Sequence, residues 1–251
     1  MLLGDPLTLA ITMLAVILVG LAKGGFAGLG ALATPLLALV LPPATAAALL
    51  LPILIVQDAI SVWNFRREWD RWIVAWMLPG ALMGIALGWF FAANVDERAL
   101  MSALGAITFS FGTWRLWQGR GGRTIATRRA PGWSGSLFGV ATGFTSQIAH
   151  AGGPPFQMWV APRGLPHVRF AGTQAVLFAI LNWVKLPTYF GLGALTRPVL
   201  VTAAALVPLA IVSTFAGIWL IRRIETAQFY ILVYWLMIAL GLRLAWVGML
   251  G

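Results

Sequence analysis

The stretch LAKGGFAGLGALATP, residues 21–35, lies inside a long apolar region, yet it contains a lysine, four glycines and a proline. Lys23 is one of only two lysines in the chain. Glycine and proline interrupt helices, and an ammonium group is unfavourable in apolar surroundings. The combination predicts a broken helix that brings a charge and exposed backbone into the interior of the protein.

The composition around this stretch is that of a membrane protein. The 251 residues are 60% hydrophobic and only 10% charged, with a mean hydropathy of +0.89. A soluble domain cannot bury that much apolar surface, so lipid is the expected solvent for most of the chain. The net charge of +10 comes from arginines in short loops, as in multi-pass membrane proteins, and does not indicate a nucleic-acid partner. Cysteine is absent, which excludes disulfides and thiolate metal sites.

Apolar runs divide the chain into a first membrane repeat, 1–117, a basic cytoplasmic linker, 118–130, and a second membrane repeat, 131–251. The three later runs in each half are long enough to span, since 21 helical residues cover about 30 Å. The earlier runs are shorter and contain Gly and Pro; they are 7–22, 26–41, 133–149 and 152–161. We therefore predict an all-α polytopic membrane protein of about eight to ten segments. Each half should contain about three full spans plus a pair of short or broken helices.

The two halves match each other, which indicates an internal repeat. Residues 79–117 align without gaps on 208–246, and at an offset of 124 Asp58 falls on Asn182. With the loop at 65–71 inside, an inverted second half places twelve arginines inside and three outside. A parallel repeat would move four of those twelve outside. The positive-inside rule therefore favours two inverted repeats.

A second Gly-rich stretch, GFTSQIAHAGGPP at 143–155, matches the first one in its place within the repeat. Inverted-repeat transporters bind substrate near the midplane, where broken helices expose their ends. Helix N-termini attract anions, and glycine lets an anion approach the backbone. We therefore predict that a small oxyanion binds between the two breaks. The predicted binding residues are Lys23, Gly24, Gly25, Gly28, Thr145, Gln147, His150, Gly152, Gly153, Asn182 and Lys185.

Each of these residues also has a purely structural interpretation. The glycines would let membrane helices pack closely, and Lys23 could snorkel to the membrane surface. Lys185 lies deep in an apolar run, from where snorkelling is harder. Asp58 either pairs with a buried lysine or arginine, or carries protons. His150 is either a hydrogen-bonded structural group or a contact for substrate and protons.

The sequence contains no acid pair with metal-ligand spacing, no nucleophile elbow and no Walker loop. We therefore expect a transport protein and not an enzyme, with no metal and no cofactor. The alternatives left open are a passive anion channel, a carrier of small carboxylates, a membrane enzyme that uses Asp58 with His150, and a scaffold subunit. A homodimer is also left open.

These features together resemble the TauE/SafE family of sulfite exporters. The resemblance lies in the Gly-rich segment from Ala22 to Pro35, the long helix with polar interior residues after it, the basic linker, and the Gly152-Gly153-Pro154 motif. It covers nearly the whole chain. It implies a multi-pass carrier in a prokaryotic plasma membrane, with the lipid bilayer and a small sulfur-containing anion as partners. Sulfite, thiosulfate and organosulfonates are the anions that the resemblance suggests.

Overall fold

The computed structural model describes residues 4–24, 29–119, 130–220 and 227–250, and all regular structure in this part is helical. Its α-helices are α1 (Pro6–Gly24), α2 (Ala33–Leu37), α3 (Pro43–Phe65), α4 (Arg71–Asn94), α5 (Glu97–Gly119), α6 (Gly132–Ala149), α7 (Gly153–Val160), α8 (His167–Gly191), α9 (Arg197–Leu220) and α10 (Ala227–Leu250). Short 3-10 helices at Leu29–Leu32 and Ala161–Arg163 adjoin α2 and α7. The predicted all-α class is confirmed.

Within the described residues, each half of the chain contains five α-helices, of which the second is short. The short helices α2 and α7 have 5 and 8 residues. In the described part of the chain, α1, α3, α4 and α9 are long and apolar enough to cross a membrane. With 19 residues, or about 28 Å, α1 is longer than its apolar run predicted, because the helix continues through Lys23 to Gly24. The polypeptide is a multi-pass membrane protein.

The helices begin where the sequence supplies suitable N-terminal residues. At the start of α4, the Oδ1 atom of Asp70 accepts hydrogen bonds from the N–H groups of Trp72 and Ile73, at 3.0 and 3.2 Å. Such a cap satisfies two of the N–H groups that a helix leaves unpaired. At the start of α3, Pro43 occupies the first helical position, where its missing N–H is not needed.

Glycines join helices from opposite halves into closely packed parallel pairs. A Cβ atom on Gly24 of α1 would lie 2.3 Å from the backbone carbon of Gly217 in α9. A Cβ atom on Gly80 of α4 would lie 1.8 Å from the backbone oxygen of Ser136 in α6. Only glycine permits such contact, so the pairs α1–α9 and α4–α6 connect the two halves.

Helices α3 and α8, which match in the predicted repeat, run antiparallel to each other. The N-terminal end of α8 lies beside the C-terminal end of α3, since a Cβ atom on Gly172 would lie 3.1 Å from the Cβ atom of Phe65. Arg169 also forms an ion pair at 3.1 Å with Asp70, in the segment that follows α3. The N–H of Asp70 also donates to the hydroxyl of Thr173 at 2.9 Å. Antiparallel pairing is the arrangement that repeat inversion implies, while the division into two inverted repeats stays a prediction. Most of the predicted linker, residues 120–129, lies outside the described part, as do Arg222 and Arg223.

Candidate functional site

A cavity of about 50 Å³ lies where the ends of α1 and α6 approach the middle of α3 and α8. One enclosed water needs at least about 10–15 Å³ of such space, so there is room for roughly three to five waters or one small oxyanion. The cavity is walled by residues from both Gly-rich breaks and from α8. Its polar and charged lining residues are Lys23, Ser146, His150, Gln174, Asn182 and Lys185.

On one side of the cavity, the carboxylate of Asp58 is held by two donors. Lys23 forms an ion pair with its Oδ1 atom, and the side-chain amide of Asn182 donates to its Oδ2 atom. Asp58 is 1% exposed and Asn182 is 2% exposed. A buried carboxylate needs such partners, because without them its desolvation would be strongly unfavourable. Of the two roles left open for Asp58, the structure shows the pairing with a buried lysine, while a role in proton coupling stays a prediction.

On the other side, Lys185 is fully buried and makes three hydrogen bonds to neutral groups. Its Nζ atom donates to the backbone oxygen and the hydroxyl of Ser146, both at 3.1 Å, and contacts Nδ1 of His150 at 2.8 Å. Lys185 forms no ion pair with any residue that the structure describes. The two lysines therefore differ, because Lys23 has a carboxylate partner and Lys185 has none.

The imidazole of His150 is fixed by contacts on both ring nitrogens. Its Nε2 atom lies 2.8 Å from the backbone oxygen of Ala47, which can only accept, so Nε2 carries the hydrogen. Nδ1 is then the acceptor for Lys185. The ring also stacks on Tyr189 at 6.0 Å. His150 ends α6 in the left-handed conformation, with φ of 51°, and this turns its side chain into the cavity.

Five of the predicted binding residues meet at the cavity, namely Lys23, His150, Gly153, Asn182 and Lys185. The other predicted binding residues within the described part of the chain make contacts away from the cavity. Thr145 donates to the backbone oxygen of Ala141 in its own helix at 2.7 Å. Gln147 pairs with the hydroxyl of Thr188 at 3.0 Å. Gly24 and Gly152 lie in close helix contacts; Gly25 and Gly28 lie outside the described residues.

The second break offers fewer backbone donors than a helix N-terminus usually does. The first turn of α7 begins at Gly153 and continues with Pro154 and Pro155, which have no N–H. Within the described part, the N–H of Gly153 makes no hydrogen bond to another residue. A Cβ atom there would meet only the Gln157 amide, at 3.8 Å. Side chains therefore supply most of the donors on this side.

A comparison with known protein families shows which family the chain belongs to. The family described as "Sulfite exporter TauE/SafE" matches residues 12–244. The chain belongs to the TauE/SafE family. Searches of curated proteins and of solved structures found no significant match. Since TauE/SafE is a transporter family, membership favours membrane transport over an enzymatic role.

In this TauE/SafE protein, several cavity residues were not among the predicted binding residues, including Ser146, Gln174 and Phe178. Gln174 and Phe178 line the cavity from α8, and the ammonium of Lys23 lies 5.4 Å from the centre of the Phe178 ring. A signal for both was present in the sequence. Gln174, Phe178, Asn182 and Lys185 follow one another at intervals of four, four and three residues, which places them on one helix face.

A smaller space of about 10 Å³ adjoins the main cavity beside Lys23. Ala171, Gln174 and Ala175 of α8 form its other wall. These residues lie towards the N-terminal end of α8, which contacts Asp70 at the start of α4. The smaller space therefore extends the main cavity towards the loop that joins α3 to α4.

Proposed function

We propose that this protein is a secondary transporter that moves a small sulfur-containing anion across the cytoplasmic membrane of a prokaryote. Sulfite, thiosulfate and organosulfonates are the candidate anions. The observation that supports this most directly is Lys185, which lines the cavity, is fully buried and has no carboxylate partner among the described residues. A buried ammonium without a counter-ion is unfavourable, so an anion in the cavity would supply the missing charge.

The remaining wall provides donors suited to an oxyanion. An ammonium group has three donors, and Asp58 accepts only one from Lys23, so Lys23 has two left for an anion in the cavity. Gln174 and Gly153 line the same space, and each has N–H groups that can donate to an anion. Lys185 has all three donors engaged and acts on the anion through its charge.

Movement of the anion would come from the two parallel helix pairs that glycines pack closely. The pairs α1–α9 and α4–α6 pack closely enough to move as rigid units. The cavity lies between the ends of α1 and α6, so rocking one pair against the other would open it first to one side and then to the other. The extension beside Gln174 supports access from the side of the α3–α4 loop.

We further propose that protonation of Asp58 or His150 couples the movement of the anion to protons. Both residues are already bonded at the atoms that would take up a proton. Uptake therefore requires Lys23 to leave Asp58, or Lys185 to leave His150, when the anion enters. Proton movement into liposomes during anion transport, measured for the wild type and for Asp58→Asn, tests this step.

The proposal is tested first by thermal stability in detergent against sulfite, thiosulfate and small organosulfonates. A ligand that binds only the folded protein raises the melting temperature in a saturable way. We expect one of these anions to do so in the wild type, and Lys23→Ala and Lys185→Ala to lose the response. Glu97→Gln, an exposed change in the first turn of α5, is the control that keeps it. Absence of any anion response in the wild type would refute the proposed site.

Transport measurements in liposomes distinguish the proposed carrier from a passive channel and from a carrier of small carboxylates. A carrier gives a flux that saturates and shows exchange with unlabelled anion, whereas a passive channel gives neither. A carrier of small carboxylates would respond to acetate or lactate more strongly than to sulfite. The same variants of Lys23 and Lys185 serve in both measurements.

A further inference from the structure

We infer that the cavity binds its anion as a monoanion and discriminates against dianions of the same size and shape. This inference rests on the proposed function, because it specifies the charge of the anion that the proposed site holds. It follows from counting the charges around the cavity, which the hydrogen-bond geometry assigns one by one.

Three ionisable groups line the cavity, a fourth, Asp58, bonds to Lys23 and Asn182 of that lining, and each of the four comes from a different helix. They are Lys23 at the end of α1, Asp58 in the middle of α3, His150 at the end of α6 and Lys185 in α8. The sequences of α2 and α7 contain no ionisable residue, and neither do residues 25–28, which lie outside the described part. The charge of the site is therefore the sum of these four groups.

Asp58 and Lys23 cancel each other. Both carboxylate oxygens of Asp58 face donors, the Lys23 ammonium on one side and the Asn182 amide on the other. Such an environment suits an ionised carboxylate, which only accepts, and not a carboxylic acid, which must also donate. The pair contributes one negative and one positive charge.

His150 and Lys185 together leave one positive charge. The Ala47 carbonyl places the hydrogen of His150 on Nε2, so Nδ1 is a bare acceptor and the ring is neutral. The backbone oxygen of Ser146 and Nδ1 of His150 accept two hydrogens from Lys185, and the Ser146 hydroxyl is placed to accept the third of an ammonium. A second proton on His150 would point an N–H at this ammonium. The site as a whole thus carries a charge of about +1 by this count.

A monoanion neutralises this charge, whereas a dianion leaves one negative charge buried. Uncompensated charge is strongly unfavourable where protein excludes water, so the two classes of anion should differ in affinity. Organosulfonates with one acidic group are monoanions and therefore neutralise the charge of the site directly. Sulfite meets it after taking up one proton, as hydrogen sulfite.

Methanesulfonate and sulfate provide the test, because both are tetrahedral sulfur anions of similar size with charges of −1 and −2. Dissociation constants are measured by calorimetry on the full-length protein in detergent, at constant ionic strength. We expect methanesulfonate to bind the wild type at least about tenfold more tightly than sulfate, a difference of about 1.4 kcal/mol. Asp58→Asn raises the charge of the site by one and should reverse this order. Glu97→Gln removes one acidic charge at an exposed position and should preserve it.

The outcomes separate this inference from the proposed function. If sulfate binds the wild type as tightly as methanesulfonate does, the charge rule is overturned while an anion site remains. An unchanged preference in a folded Asp58→Asn variant also overturns the rule. Should that variant fail to fold, the comparison in the wild type decides alone. If methanesulfonate, sulfate, sulfite and thiosulfate all fail to bind, the proposed function fails, and the charge rule fails with it.

Discussion

Asn182 donates a side-chain hydrogen bond to Asp58, and the two residues occupy matching positions in the two halves of the chain. They meet because α3 and α8 run antiparallel and cross near these residues. An acid in one half and an amide in the other make the site asymmetric. Lys23 can therefore pair with the single carboxylate, and Lys185 is left without one among the described residues. This asymmetry underlies the difference that we predict between the two lysines.

Replacement of Lys23 by methionine should strongly destabilise the protein. It leaves the carboxylate of Asp58, which is 1% exposed, with Asn182 as its remaining partner. Removing one member of a buried ion pair costs about 3–5 kcal/mol. Thermal unfolding in detergent measures the change.

The double variant Lys23→Met, Asp58→Asn is the matched control for this prediction. It removes both charges together, so it should recover most of the stability that Lys23→Met loses. A double variant no more stable than Lys23→Met would show that Lys23 stabilises the protein through other contacts, such as Phe178.

Replacement of Lys185 by methionine should not destabilise the protein, in contrast to replacement of Lys23. The methionine side chain has similar length and no charge, and it removes a buried ammonium that has only neutral partners among the described residues. We expect a melting temperature at or above that of the wild type, together with loss of the stabilisation by anions. A Lys185→Met protein that still responds to the substrate anion with full amplitude would contradict this role.

The two Gly-rich breaks contain glycines of two kinds, which substitution by alanine should separate. Gly24→Ala places a Cβ atom 2.3 Å from the backbone of Gly217, so α1 must move away from α9. We expect a loss of about 1–3 kcal/mol. Gly153→Ala meets only Gln157, at 3.8 Å, and should change stability by less than about 0.5 kcal/mol.

Anion binding distinguishes the same two glycines in a second way. Gly153 lines the cavity, so a methyl group there should weaken anion binding although the fold is retained. Gly24→Ala should affect binding only as far as it affects folding. Equal losses of stability in both variants, measured by thermal unfolding, would show that the open space at Gly153 is not available to a side chain.

The sequence was informative wherever the signal was local. Glycine and proline in apolar runs located both breaks, and charges at membrane depth identified Lys23, Asp58 and Lys185. These signals depend on the chemistry of single residues in a lipid environment. The same reasoning would have shown that Pro154 and Pro155 remove backbone donors from the start of α7.

The rotation of each helix about its own axis, which decides the side chains that line the cavity, was harder to predict. Thr145 and Gln147 lie close to His150 in sequence, yet their side chains bond to Ala141 and Thr188 and do not line the cavity. The rotation of α6 about its axis decides this, and close packing against α4 sets that rotation. Likewise, the partner of Asp58 depends on where α1 ends, which its composition alone does not determine.

The orientation of the two halves can be tested by labelling single cysteines, since the chain contains none of its own. The positive-inside rule places Glu68 and His167 on the inner side, and Asn94 and Thr196 on the outer side. Cysteines at these four exposed positions should react with a membrane-impermeant maleimide in intact cells only at 94 and 196. Labelling of 167 but not 68 from outside would contradict inversion, and it would also conflict with the contact between Arg169 and Asp70. Labelling of 68 and 167 alone would keep the inversion and reverse the orientation of the whole protein.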